Sequence, residues 1–157
     1  MRAAQLFAEH GFHGLAATPA TAPDAFHRLA SQNHTLVAEH HIDGAAGFAI
    51  CDQIGSFLHL KELSVAPEHG RKGLGSALLR AVIAESVSRG LTGVSLSTFR
   101  DVPFNAPFYA RHGFAEQPLA RVPDALRERF FDEVPEGIAA ETRLLMLRRN
   151  NHIQHNA

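Results

Sequence analysis

Arg71 and Lys72 stand directly before Gly73-Leu74-Gly75, and Ser76-Ala77-Leu78-Leu79 follow as an apolar helix start. Upstream, a short apolar strand ends at Val65-Ala66-Pro67, and Glu68-His69-Gly70 lead into the loop. Closely spaced glycines let a backbone approach a ligand without interference from Cβ. The opening turn of a helix presents unpaired N–H groups and the positive end of its dipole. With two cations beside it, such a turn suits a diphosphate.

Two familiar diphosphate motifs fail on spacing. A dinucleotide fingerprint requires G-x-G-x-x-G/A, but Leu78 occupies the third glycine position, and Val94 to Thr98 offer no acidic residue for a ribose. A Walker A loop requires Lys-Ser/Thr after the last glycine, where this chain has Ser76-Ala77.

The run Lys61-Glu62-Leu63-Ser64-Val65-Ala66-Pro67-Glu68-His69-Gly70-Arg71-Lys72-Gly73-Leu74-Gly75-Ser76-Ala77-Leu78-Leu79 resembles the central motif of the GCN5-related N-acetyltransferases (GNAT). Asn105-Ala106-Pro107-Phe108-Tyr109-Ala110-Arg111-His112-Gly113-Phe114 is similar to that family's Tyr-x-x-x-Gly-Phe signature. One departure is local: the order Gly70-Arg71 places the basic side chain one position later than usual. The resemblance implies a mixed, mostly antiparallel sheet flanked by helices, with a splayed, bulged strand. It implies acetyl-CoA as co-substrate, with Gly70, Arg71, Lys72, Gly73, Leu74, Gly75 and Ser76 around the pyrophosphate. The pantetheine arm would run along the backbone of Leu63, Ser64 and Val65, as an added strand does.

The strand itself carries a related signal. Leu58 and Leu60 alternate on one face, and the apolar phase then moves by one, to Leu63 and Val65. A slip of this kind is what a β-bulge produces. Amine acetylation needs a neutral amine, a thioester held near it, and a proton donor for the departing thiolate. Tyr109, the chain's single tyrosine, occupies the family's donor position. Glu62, at the bulge, is the preferred base, with His59 the alternative. Asn105 suits a cap on the Tyr109 helix and a contact to the coenzyme. Cys51 reads as a small core residue, because direct transfer requires no acyl-enzyme.

The bulk properties fit this reading and exclude others. At 157 residues the chain is expected to form one domain over residues 1–149, with a frayed tail at 150–157. A net charge of −1 provides no field to gather nucleic acid or an anionic membrane. One cysteine and no long apolar run point to the cytoplasm. The 11 histidines show no metal-ligand spacing, so no metal is expected. The acceptor is expected to be a small-molecule amine; a protein N-terminus or lysine, or a non-catalytic acyl-CoA-binding module, is the alternative.

Around these motifs, periodicity predicts helices at 2–10, 23–31, 73–89, 105–112 and 124–132, and strands at 35–39, 45–51, 57–65, 93–99, 114–117 and 142–147. Asp43-Gly44 marks a hairpin turn. Compared with the family, the strand before the first helix is missing. An uncovered edge of that kind invites pairing, hence an expected homodimer.

Overall fold

In a computed structural model of the protein, residues 34–40, 44–66 and 73–151 are described. The segments expected to form two N-terminal helices, the expectation that a first strand is missing, Asp43, the loop containing Gly70, Arg71 and Lys72, and residues 152–157 lie outside them. The described elements are β1 (His34–His40), β2 (Gly44–Ile54), β3 (Phe57–Val65), α1 (Leu74–Ser88), β4 (Gly93–Phe99), α2 (Ala106–Arg111), β5 (Ala115–Glu116), α3 (Asp124–Asp132) and β6 (Arg143–Arg149). The strands form one six-stranded sheet in the order β1-β2-β3-β4-β6-β5. Only β3 and β4 pair in parallel, joined by the α1 crossover; every other neighbouring pair is antiparallel. The expected mixed, mostly antiparallel α/β fold is therefore present.

Strand alternation sorts the side chains into two cores. Leu58, Leu60, Val94, Leu96, Leu144 and Met146 face α1 and α2, packing with Leu78, Leu79, Val82 and Tyr109. Phe57, Leu145 and Leu147 face the other way, against Leu126 and Phe130 of α3. Arg129 of α3 adds a two-pronged bond to Asp52 of β2, at 3.0 and 2.8 Å. Such bidentate geometry orients the helix as well as attracting it.

β3, β4 and α3 have the bounds read from the sequence, and the others differ at their ends. Gly73 is the cap of α1 rather than its first helical residue. A 3-10 turn over Ala140–Thr142 precedes β6, which runs on to Arg149. Asn150 is buried, its amide donates to Leu91 O at 3.0 Å and its side chain contacts Ser86 Oγ. A long-range tether of this kind leaves no periodic trace in the sequence. Gly47 also escaped notice: a Cβ there would stand 2.7 Å from Ser64 O, so glycine lets β2 lie close to β3.

Candidate active site

The sheet opens at its centre. β3 and β4 pair from Phe57↔Gly93 to Leu60↔Leu96 and no further. Each then keeps its other neighbour: β3 stays on β2 as far as Val65↔Gly47, and β4 stays on β6 as far as Phe99↔Arg143. The cause lies one residue beyond the last shared pair. Ile50 pairs with Glu62 and Cys51 with Leu60, leaving Lys61 as the extra residue of a bulge. The bulge re-aims the strand, so Leu63 and Val65 pack toward the α1 core as Leu58 and Leu60 do. From Lys61 to Val65 the β4-side edge of β3 therefore has no strand partner among the described residues.

The fork holds a cleft of about 140 Å3, lined by residues that include Glu62, Leu63, Asn105 and Tyr109. By alternation, Glu62 lies on the α3 side of the sheet, opposite Leu63. Its side chain keeps an exposed surface at the cleft mouth. Surrounding protein nevertheless removes enough water to raise its pKa above the ordinary carboxylate value. Tyr109 approaches from the α2 side. Its ring is buried edge-on between Phe108 and Phe114, with centroids 5.2 and 5.8 Å away. Burial raises the phenol pKa strongly, which keeps its proton in place at neutral pH.

The first turn of α1 lies beside the end of β3 and α2, with Gly75 next to Val65 and Phe108. Ala77 N donates to Gly73 O at 2.9 Å, so the amides of Leu74, Gly75 and Ser76 precede the helix ladder and have no acceptor within it. No acidic side chain occupies that turn. Gly73 adopts φ +79°, and a Cβ there would meet nothing within 4 Å among the described residues. The glycine thus serves the left-handed cap. Gly75 is different: a Cβ there would sit in ordinary contact with Phe108 and Val65, at 3.7 and 3.8 Å. The first turn is also tied to α2, through Ser76 Oγ and His112 Nε2 at 3.0 Å.

His59, the alternative base, is not among the residues lining the cleft. It is fully buried on the α3 side, with Nδ1 2.8 Å from Ser95 Oγ and Nε2 2.9 Å from the Glu133 carboxylate. The neutral tautomer with its proton on Nε2 satisfies both partners, donating to Glu133 and accepting from Ser95. Asn105 occupies the cap position of α2, and its carbonyl accepts from Tyr109 N at 3.0 Å. Its side chain makes no capping bond, contrary to the sequence expectation; instead its Nδ2 is buried without a partner in the cleft wall. Cys51 is fully buried and its thiol is pushed up to about 12, mainly by burial, which suits packing rather than nucleophilic attack.

Residues 31–116, more than half of the 157-residue chain, match the family described as Acetyltransferase (GNAT) domain. The chain belongs to the GNAT acetyltransferase family. Solved structures share the GNAT fold. N-acetylglutamate synthase from Neisseria gonorrhoeae, complexed with coenzyme A and N-acetyl-glutamate, aligns with TM-score 0.68 at 15% identity, over 94% of this chain and 32% of that one. The ribosomal-protein-S18-alanine N-acetyltransferase from Escherichia coli aligns with TM-score 0.61 at 20% identity, over 90% of this chain and 84% of that one. Nourseothricin acetyltransferase gives 0.53 at 27% identity, over 73% of this chain and 64% of that one. The chain thus spans about a third of the synthase and just under two thirds of the nourseothricin enzyme.

Two residues of this GNAT cleft were missed from the sequence. Ser97 Oγ and Arg143 Nε are buried without partners among the described residues, and both residues line the cleft. Unpaired buried polar atoms of this sort cost about 1–3 kcal/mol each. For Arg143 a signal existed: it is a charge placed at the start of the apolar run Leu144-Leu145-Met146-Leu147. Ser97 had none. Among the described residues no helix is long and apolar enough to cross a membrane, and no group of three or more His, Cys, Asp or Glu side chains could hold a metal.

Proposed function

We propose that this GNAT domain transfers acetyl from acetyl-CoA directly to the primary amine of a small molecule. The single observation that carries the reading is the forked cleft, with Glu62 on one side of the sheet and Tyr109 on the other. In this scheme the pyrophosphate rests on the amides of Leu74, Gly75 and Ser76 beneath Gly73. Gly70, Arg71 and Lys72 of the preceding loop supply the remaining contacts and charge. The pantetheine arm follows the open edge of β3 along Leu63, Ser64 and Val65. Asn105 offers its unpartnered amide to the coenzyme from the α2 side.

Glu62 takes a proton from the acceptor ammonium, directly or through one water. The neutral amine attacks the thioester carbonyl, whose oxygen is polarised by a backbone N–H near Leu63 or Ser64. Collapse forms the amide bond and breaks the C–S bond. Tyr109 supplies the proton that converts the leaving thiolate to coenzyme A thiol, and is restored by the proton that the attacking nitrogen sheds in becoming an amide. Holding both reactants in one cleft makes the attack effectively unimolecular.

A small acceptor fits a cleft of about 140 Å3 better than a folded protein surface does. A homodimer pairing along β1, an edge of the described sheet, belongs to the same reading. So does a reducing, cytoplasmic setting for the free Cys51. The test is coenzyme A release with a panel of amines. Turnover on at least one small amine supports the reading. Tight acetyl-CoA binding with no turnover on any acceptor would replace it with a non-catalytic binding module.

A further inference from the structure

The unpartnered atoms in the cleft divide between its two sides. Asn105 belongs to the α2 side with Tyr109. Ser97 and Arg143 belong to the α3 side: Ser97 pairs with Leu145 across β4 and β6, and Phe99 with Arg143, all on the face that carries Leu145 and Leu147. Glu62 shares that side. Native interiors satisfy nearly all buried polar groups, so two such atoms at one place point to a ligand. A guanidinium can only donate and a hydroxyl can donate, so the missing group is an acceptor.

Charge narrows the choice. The Arg143 guanidinium lies over the Phe99 ring, 4.6 Å from its centroid, and belongs to no ion pair among the described residues. Burial lowers its pKa, which reflects a cation short of water; the opposing influence of Glu133 is weaker, and that carboxylate is engaged by His59. Glu62 likewise belongs to no ion pair among the described residues, although it lines the same cleft. A cation and an anion thus share one small cleft without neutralising each other. A molecule carrying both charges would complement both.

We propose that the acetyl acceptor is a zwitterionic amine of the amino-acid class, its carboxylate held by Arg143 and Ser97 and its ammonium facing Glu62. This rests on the transferase reading above and specifies its substrate. The Arg143 fork grips the carboxylate in two places and fixes the direction from which the nitrogen arrives. Polycationic amines, with no anion for Arg143, are repelled from the same position.

The test compares amino acids with their C-terminal amides and decarboxylated amines, by coenzyme A release. Expected is a kcat/KM at least tenfold higher for the acids. Arg143→Gln should bring that ratio close to one, Arg143→Lys should keep part of it, and acetyl-CoA affinity by calorimetry should stay within twofold in both. Amides as good as acids in the wild type, or an Arg143→Gln loss equal for acids and amides, would overturn the proposal. If no amine at all is acetylated, the transferase reading fails and the substrate proposal is read from binding alone. Amino-acid binding to the coenzyme A complex that vanishes in Arg143→Gln would then uphold the zwitterion site but overturn its role as acetyl acceptor, and absent binding in the wild type would sink both.

Discussion

The Ser76 hydroxyl and the Nε2 of His112 lie 3.0 Å apart, joining the first turn of α1 to the end of the helix that carries Tyr109. Burial, followed by Arg80 and Arg111, holds the His112 pKa below its ordinary value. A histidine with a depressed folded pKa binds its proton more readily in the unfolded chain. Its effect on stability is absent above its unfolded pKa of about 6.5 and grows as pH falls below it. Wild-type Tm should therefore drop more between pH 7.5 and 5.5 than that of His112→Gln. Equal drops in calorimetric scans would show that His112 does not titrate against the fold.

Tyr109→Phe removes the phenol oxygen and keeps the ring between Phe108 and Phe114. Loss of a general acid lowers turnover by about a hundredfold or more. Acetyl-CoA affinity should remain within twofold, because the ring packing is preserved. Steady-state kinetics beside calorimetry checks both, and unchanged kcat would remove Tyr109 from the mechanism.

Glu62→Gln tests the base. Because the Glu62 pKa is raised, the active carboxylate form should be lost as pH falls through a value above that of an ordinary carboxylate. The wild-type kcat/KM profile should show this acid limb. The variant should lose it, with kcat down at least about tenfold. A limb that persists unchanged in Glu62→Gln would assign it to another group.

His59→Ala should act on stability. It strands the Ser95 hydroxyl and the Glu133 carboxylate, both now bonded to the ring. The buried Ser95 hydroxyl left unsatisfied costs about 1–3 kcal/mol, while the partly exposed Glu133 carboxylate can turn to water. Urea unfolding should show a loss of at least about 1 kcal/mol. A stable variant with a shifted kcat/KM limb would instead favour His59 as the base.

Gly73 tests the coenzyme turn. A valine at φ +79° is strained by about 1–2 kcal/mol and adds a branched side chain directly before the first-turn amides. Asparagine tolerates that backbone and projects only its side chain. Gly73→Val should lose both thermal stability and acetyl-CoA binding. Gly73→Asn should keep its Tm while coenzyme affinity drops at least tenfold. Full affinity in both variants would place the pyrophosphate elsewhere.

Local patterns reached far into this protein. Alternation at Leu58 and Leu60, then Leu63 and Val65, marks the bulge because side-chain direction depends only on position along a strand. Gly73 before an apolar run marks the start of α1 because a helix cap is a local event. Glu62, Leu63, Asn105 and Tyr109, singled out from short motifs, all line the cleft. What the sequence could not settle depends on groups distant along the chain. The ring of His59 turns away from the cleft because Ser95 and Glu133, 36 and 74 positions later, satisfy its two nitrogens. The Asn105 side chain makes no cap on its own helix, although the residue lines the cleft. Ser97 and Arg143 meet Glu62 only because β4 lies between β3 and β6. A strand's alternation says which residues share a face, but only the order of strands in the sheet decides which faces look into the same cleft.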